Sequence, residues 1–375
     1  MNKFSRLLFS LCLALACMQS GALLASAETT DSTHDIWTDK HTGQFIDMFQ
    51  RVAPAISRAL IQELTFSGEI LEIGCGPRGG IANFLPRELL KHLTLSEPNA
   101  QAYAALQSKL ASTPRLKHLA TRSLQADAAS LPTKLPSGKA FKTIVATNVM
   151  DCIADGGMEH SIAALTSLRA LLQPEGRIVL IHYLNPSLSL ISSLVNAECL
   201  TNNCVAFPYY SSTLVEDYIL PDCTVAFADR DTLQHPHPSA PDKSLAGMID
   251  FYFLGDLKSI FYGNPGAALQ LACHNQDALS QISRSLHMMT PTPEEDRHYG
   301  IQRRTFFDLY EGFLADAAEQ AGLEMQVSEH KMARAETEDA TNMPGGVGAY
   351  LGISRRSDSG SLMLIYKTIT LTPKP

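Results

Sequence analysis

The apolar positions fall into short runs separated by longer amphipathic stretches. Ile70, Leu71 and Ile73 form one run, which stops at Gly74-Cys75-Gly76. A short apolar run bounded by glycine is the pattern of a buried parallel strand feeding a tight turn. His92–Ser96, Phe141–Ala146 and Ile178–Ile181 read as further strands, and Pro114–Ser123 is less defined. Between them, Ile81–Lys91, Ala100–Leu110 and Ser161–Leu172 carry helical spacing. Upstream, Phe45, Met48, Phe49, Val52, Ile56, Leu60 and Leu64 form a helical stripe interrupted by Pro54. Strands alternating with helices predict an α/β fold, a parallel sheet covered on both faces.

The alternation breaks after Tyr183. Asn185–Gly300 carries Pro/His punctuation at Gln234–Asp242 and helix-like pieces at Leu245–Phe261, Gly266–Cys273 and Gln276–Leu286. It reads as a large, mostly helical insertion that caps the site and shapes a substrate pocket. Tyr209-Tyr210 and Phe251-Tyr252-Phe253 line that pocket or pack a core. The basic pattern then returns: an amphipathic helix over Phe306–Ala321, and a strand over Leu323–Lys331. Candidate strands at Ala349–Ser354 and Leu362–Thr370 flank the turn Ser357-Asp358-Ser359-Gly360.

The chemistry concentrates at Glu69–Gly80. Gly74-x-Gly76-x-x-Gly79 with Glu97 further on fits a dinucleotide fingerprint. Three features separate it from NAD binding: Glu72 two residues before the first glycine, Asp127-Ala128 leading into Ser130-Leu131-Pro132, and the turn Gln173-Pro174-Glu175-Gly176 before a strand. With these the chain resembles the class I S-adenosylmethionine-dependent methyltransferases over roughly Ser67–His182. Arg78 stands where the family has its third glycine, and Glu175 replaces a turn glycine.

The resemblance implies a Rossmann-like seven-stranded methyltransferase sheet, with the insertion following strand 5 and a C-terminal antiparallel hairpin closing the sheet. It implies that Gly74, Cys75 and Gly76 form the cofactor turn. It places Glu97 on the ribose hydroxyls, Asp127 on the adenine amino group, the Ala128 N–H on the ring, and Asn148 facing the methyl group. Glu72 would fix the turn or meet the methionine ammonium through water. Each has a plainer reading: Glu97 and Asp127 as solvated loop acids, Asn148 as a turn former, Cys75 as a small apolar filler. Methyl transfer needs alignment above all, and a base only if the nucleophile arrives protonated. Asp151, His182 and Tyr183 lie in the right region, with no catalytic residue fixed. No Cys/His spacing matches a zinc site.

Net charge is −8 over 375 residues with no long basic run, which disfavours nucleic acid as partner and leaves a small molecule or a protein as acceptor. Lys3 and Arg6 precede the apolar run Leu7–Cys17, and Ala25-Ser26-Ala27 fits a cleavage site before Glu28. The expectation is an exported protein with no stable membrane span after cleavage. A lipid-modified Cys17 or a retained anchor are the rivals. Losing Lys3 and Arg6, and no acid, takes the charge from −8 to −10. Six of the eight cysteines remain, and Cys199 and Cys204 either close a small loop or stay thiols. The expected divisions are a leader (1–27), a helical segment (28–66), a cofactor-binding core (67–183), the insertion (184–300) and the end of the sheet (301–375). Two other functions fit less well: an exported effector that keeps the fold without turnover, and an NAD-dependent oxidoreductase.

Overall fold

A computed structural model describes residues 56–182, 188–215, 218–229, 236–237, 240–244, 297, 300–329, 331–335, 353–355 and 362–375. Five parallel strands make the centre: β1 (Ile70–Ile73), β2 (Leu93–Ser96), β3 (Ser123–Leu124), β4 (Phe141–Thr147) and β5 (Leu172–His182). Two strands extend the β5 side, β11 (Leu323–Val327) and β14 (Leu362–Pro373). The order is β11-β14-β5-β4-β1-β2-β3. β14 runs antiparallel to both neighbours, with Lys367 opposite His182 and Leu371 opposite Ile178. Its first half also pairs with β12 (Lys331–Ala335) and β13 (Ile353–Arg355). The expected closing hairpin is therefore differently built. β11, not the segment around Ile353, lies beside β14 at the sheet edge, and β13 meets only the part of β14 that precedes β5.

Two apolar layers follow from the period of two along each strand. Ile70, Leu93, Val145, Val179 and Ile181 face α1 (residues 56–63) and α3 (Ala100–Ser112), meeting Ile56, Leu60, Leu106 and Leu110. Leu71, Ile73, Ile144, Ile178 and Leu180 face α6 (Met158–Ala170) and α8 (Phe306–Gln320), meeting Leu165, Leu168, Leu314 and Ala317. Tyr366 of β14 donates 2.7 Å to Glu63 Oε1 and so ties α1 to the last strand. The stripe from Phe45 to Val52 lies outside the described residues.

The helix expected over Ile81–Lys91 does not form as one unit. A 3-10 turn covers Gly80–Asn83, and a separate short helix, α2 (Arg87–Leu90), follows Pro86. Proline disfavours the helical conformation of the residue before it and lacks the N–H a continuing helix needs. Short helices α4 (Leu131–Lys134) and α5 (Met150–Ala154) follow β3 and β4.

The described part of the insertion is not mostly helical. After α7 (Leu188–Thr201) come two long antiparallel strands, β6 (Cys204–Val215) and β7 (Tyr218–Asp229), in register from Cys204 opposite Asp229 to Val215 opposite Tyr218. Tyr209, Tyr210, Thr213 and Val215 suit a pleated strand better than a helix. Tyr209-Tyr210 thus belong to β6. A short pair, β8 (Pro236–His237) and β9 (Ala240–Ser244), stands apart, and β10 (Gln302–Thr305) joins β7. The three helix-like pieces between Leu245 and Leu286 lie outside the described residues. α7, β6, β7 and the start of α8 share one apolar cluster that holds Ile191, Val195, Cys199, Cys204, Val225, Phe227, Phe306 and Leu309. α8 begins with a capping box: Thr305 Oγ1 accepts from the Asp308 N–H at 2.9 Å, and Asp308 Oδ2 from the Thr305 N–H at 2.9 Å.

Glu175 takes the place of a turn glycine at a positive φ of 56°. A left-handed conformation costs an ordinary residue about 1–2 kcal/mol. Its exposed carboxylate, 3.3 Å from Lys142 Nζ, returns little. Glu175→Gly is expected to stabilise the protein by about 0.5–1 kcal/mol after the entropy of the unfolded glycine is counted. Urea unfolding checks this, and a lower midpoint at unchanged slope would show that the Lys142 contact outweighs the strain.

Candidate functional site

Glu72 sits near the centre of the sheet, opposite Leu95 of β2 and Val145 of β4. It is 2% exposed. Both of its carboxylate oxygens lie 3.1 Å from the Ile81 N–H. That single donor ties the end of β1 to the far side of the turn. Gly80, between them, has a φ of +41°, and a Cβ there would lie 2.5 Å from the Glu72 carboxyl carbon. Gly74 is pressed against Val149 beyond β4, where a Cβ would overlap a valine methyl. Above Gly76, by contrast, a Cβ would meet nothing within 4 Å, so the turn presents an open face there.

The Cys75 N–H donates to the Ser96 carbonyl at 3.1 Å, which docks the turn on the end of β2. Cys75 itself is a buried thiol, as the filler reading expected. Glu97 follows directly and is 4% exposed. Its Oε2 accepts from the Gly76 N–H at 2.9 Å and its Oε1 from the Asn99 N–H at 3.1 Å. Glu97 is therefore not a solvated loop acid. Each oxygen accepts one bond from the chain and keeps a further lone pair, so the carboxylate can still receive two hydroxyl donors. Asn99 caps α3, its Oδ1 accepting from the N–H groups of Gln101 and Ala102. Asn directly before a helix pattern is a readable cap signal, and it marks a residue on which the Glu97 position depends.

Asp127 is exposed and Ala128 buried, just after β3. Asp127 Oδ1 accepts from the Ser130 N–H at 2.7 Å, which holds the loop rigid and leaves the second oxygen outward for a donor. Asn148 has a φ of +51° at the end of β4, and its N–H donates to the Ile181 carbonyl at 2.7 Å. The turn-forming role is thus present, and the strained backbone holds the residue where β4 and β5 end together.

These positions lie at the C-terminal ends of four adjacent parallel strands, where open α/β sheets bind ligands. Arg78 is exposed and its carbonyl accepts from Asn83 Nδ2 at 2.8 Å. The tight approach is made by Gly79 and Gly80 instead, so the departure at Arg78 leaves the turn intact. Burial pushes the Glu72 carboxyl up to about 8, with the Ile81 N–H opposing and nearby Glu97 adding to the rise. Burial also raises Glu97, against the Asn99 and Gly76 N–H groups.

Beyond β5 the sheet end changes character. His182 is buried, stacks on Phe307 with ring centres 5.1 Å apart, and meets the edge of Tyr310 at 5.6 Å. Its Nε2 lies 3.4 Å from Glu311 Oε1, outside hydrogen-bond alignment. Lys367 Nζ donates to the same oxygen at 3.0 Å. Burial lowers His182 below its ordinary value although Glu311 pulls the other way. Burial thus favours its neutral form. Sequence reasoning did not find Glu311 or Lys367; only the pairing of β14 with β5 and the packing of α8 bring them to His182. Asp151 lies in α5, its side chain outside the described residues, as is Tyr183. Among the described residues no cluster of ligands suits a metal ion.

Residues 45–217 match the family model of a methyltransferase domain. This segment is thus similar to methyltransferase domains. Solved structures of similar outline include the CcbJ methyltransferase from Streptomyces caelestis, 14% identical over 87% of this chain and 90% of that one, TM-score 0.38. An S-adenosylmethionine-dependent methyltransferase from Clostridium acetobutylicum is 9% identical over 89% and 99%, TM-score 0.35. The glycopeptide N-methyltransferase MtfA, complexed with S-adenosylmethionine, is 14% identical over 87% and 94%, TM-score 0.35. The similarity to methyltransferase domains rests on the family match, not on these likenesses. No curated protein matches the chain.

The methyltransferase turn depends on Gly80 for space, not only for its dihedral angle. Gly80→Ala is expected to cost roughly 3 kcal/mol or more, from overpacking added to left-handed strain. Gly138→Ala is the control: its φ is +77°, with nothing within 4 Å of a Cβ. It should cost only about 1–2 kcal/mol. Equal midpoint losses in thermal unfolding would show that the Glu72 carboxyl yields freely.

Proposed function

We propose that this chain transfers the methyl group of S-adenosylmethionine to a small-molecule or protein acceptor, with Glu97 as the ribose anchor. The observation that carries the reading is the state of Glu97: buried, aligned by two backbone N–H groups, with lone pairs to spare over the open face of Gly76. Asp127 and Ala128, past β3, would take the adenine. Gly74, Cys75 and Glu72 would line the methionine half. When bound, S-adenosylmethionine supplies an electrophilic methyl group on a cationic sulfur. The chain's own contribution is to hold the reacting centres in line and to exclude water. Asn148 stands at the end of β4, next to β5 and His182, so the acceptor would approach from the α8 side. His182 is the group placed there to take a proton, and Glu311 and Lys367 fix its surroundings. The intact turn at Arg78 supports turnover over the reading as an effector without it.

Glu97→Ala is expected to weaken S-adenosylmethionine and S-adenosylhomocysteine alike, by about 1.5–3 kcal/mol for each charge-assisted bond lost. Both carry the same ribose. Isothermal titration measures both affinities, with circular dichroism as the check on folding. Unchanged affinity in the folded variant would sink the ribose assignment.

Export belongs to the proposal too, on the strength of Lys3, Arg6, the apolar run after them and Ala25-Ser26-Ala27. Among the described residues no helix is long and apolar enough to cross a membrane. Protein recovered from a secreting host should begin at Glu28 by intact mass. A full-length mass, or a lipid-bearing Cys17 at the start, would overturn the cleavage site.

A further inference from the structure

The cradle holds two buried carboxyl groups and, among the described residues, no cation to balance them. Glu72 is 2% exposed and Glu97 4%. Among the described residues, no lysine or arginine forms an ion pair with either. Glu97 has a backbone donor for each oxygen, whereas Glu72 shares one N–H, that of Ile81, between both. A carboxylate with so little compensation is costly in a dry site, and such groups neutralise by holding a proton. The ionisable groups that bear on Glu72 are Glu97, from the end of β2, and the Cys75 thiol, from the turn itself. Glu97, when charged, disfavours its negative form, while the thiol, itself pushed up by burial, carries no charge near neutral pH.

The sheet order supplies the missing charge. Adenine at Asp127 past β3, ribose at Glu97 past β2 and the methyl group near Asn148 past β4 require the methionine half to cross the end of β1. β1 is the strand between β2 and β4, and Glu72 is on it. That half carries a sulfonium and an ammonium. Resting on the cofactor reading above, we propose that Glu72 is a carboxylic acid in the free protein and a carboxylate in the cofactor complex. Its O–H bond breaks as the cationic methionine end arrives, and the proton passes to the buffer. Cofactor capture is thereby a charge exchange: a cation enters and a proton leaves, so Glu72 is never buried as an uncompensated charge. Burial of the carboxyl, which raises its proton affinity to the neutral range, supports this.

The test is calorimetric titration of the wild-type protein with S-adenosylmethionine near neutral pH, in phosphate and in Tris, whose ionisation enthalpies differ. The expected result is release of about one proton per cofactor bound, and an affinity that rises about tenfold per pH unit below the carboxyl's folded value. 5′-Methylthioadenosine has the adenosine and the sulfur but no charge, and should bind without releasing a proton. Glu72→Gln should abolish the release. Equal heats in both buffers would overturn the proposal. So would proton release by 5′-methylthioadenosine, or release that persists undiminished in Glu72→Gln. Should Glu72→Gln not fold, infrared spectroscopy of the wild type decides: a protonated-carboxyl band must be present in the free protein and vanish with cofactor. If S-adenosylmethionine does not bind at all, the cofactor reading fails rather than the proton exchange.

Discussion

One carboxyl buried beneath a turn sets the geometry of the whole cofactor side. Glu72 cannot reach water, so its oxygens must find a donor inside, and the Ile81 N–H is the one supplied. That bond draws the chain back across the end of β1, which only a residue without a Cβ permits at position 80. The path then fixes where Gly76 points, and the Gly76 N–H in turn aims Glu97. Loss of any member of this chain of contacts moves the next. An unpaired buried acid is a poor way to stabilise a fold. Its presence here makes sense as part of a binding site, where strain and misfit tend to be kept.

The other end of the site is built differently. β1 and β2 place their groups through backbone bonds within about 30 residues of sequence, whereas His182, Glu311 and Lys367 come from three distant segments. α8 is the element that joins them. Its later turns pack Leu314 and Ala317 into the sheet's core, while Phe306 and Leu309 pack with α7 and the hairpin of the insertion. Any shift of the hairpin is therefore felt at Glu311, one turn along the same helix. The insertion is thereby packed onto the helix that carries Glu311, away from the Glu97 pocket.

Much of the central sheet could be read from the chain because its signals are local. β1, β4 and the end of β5 are apolar runs, and Phe306–Gln320 has a clean helical stripe. The turn from Gly74 to Gly80 announces itself through glycine. Other features were readable but missed: Pro86 forbids one helix across Ile81–Lys91, and Thr305 with Asp308 spells a capping box. The rest is not local at all. Nothing near Tyr366 says that it bonds to Glu63, and nothing near Lys367 says that it faces His182. The hairpin of β6 and β7 was hidden for another reason. Apolar residues crowd Cys204–Val215 without strict alternation, and proline occurs in both strands, so period alone does not separate strand from helix.

β14 follows the other described strands in sequence, yet it lies inside the sheet, between β5 and β11. Until it is made, β5 is an open edge with unpaired backbone groups, and β11 has no neighbour among the strands that precede it. The sheet cannot be completed from the N-terminus outward as synthesis proceeds. Its pairings span long stretches of sequence, a topology that slows folding.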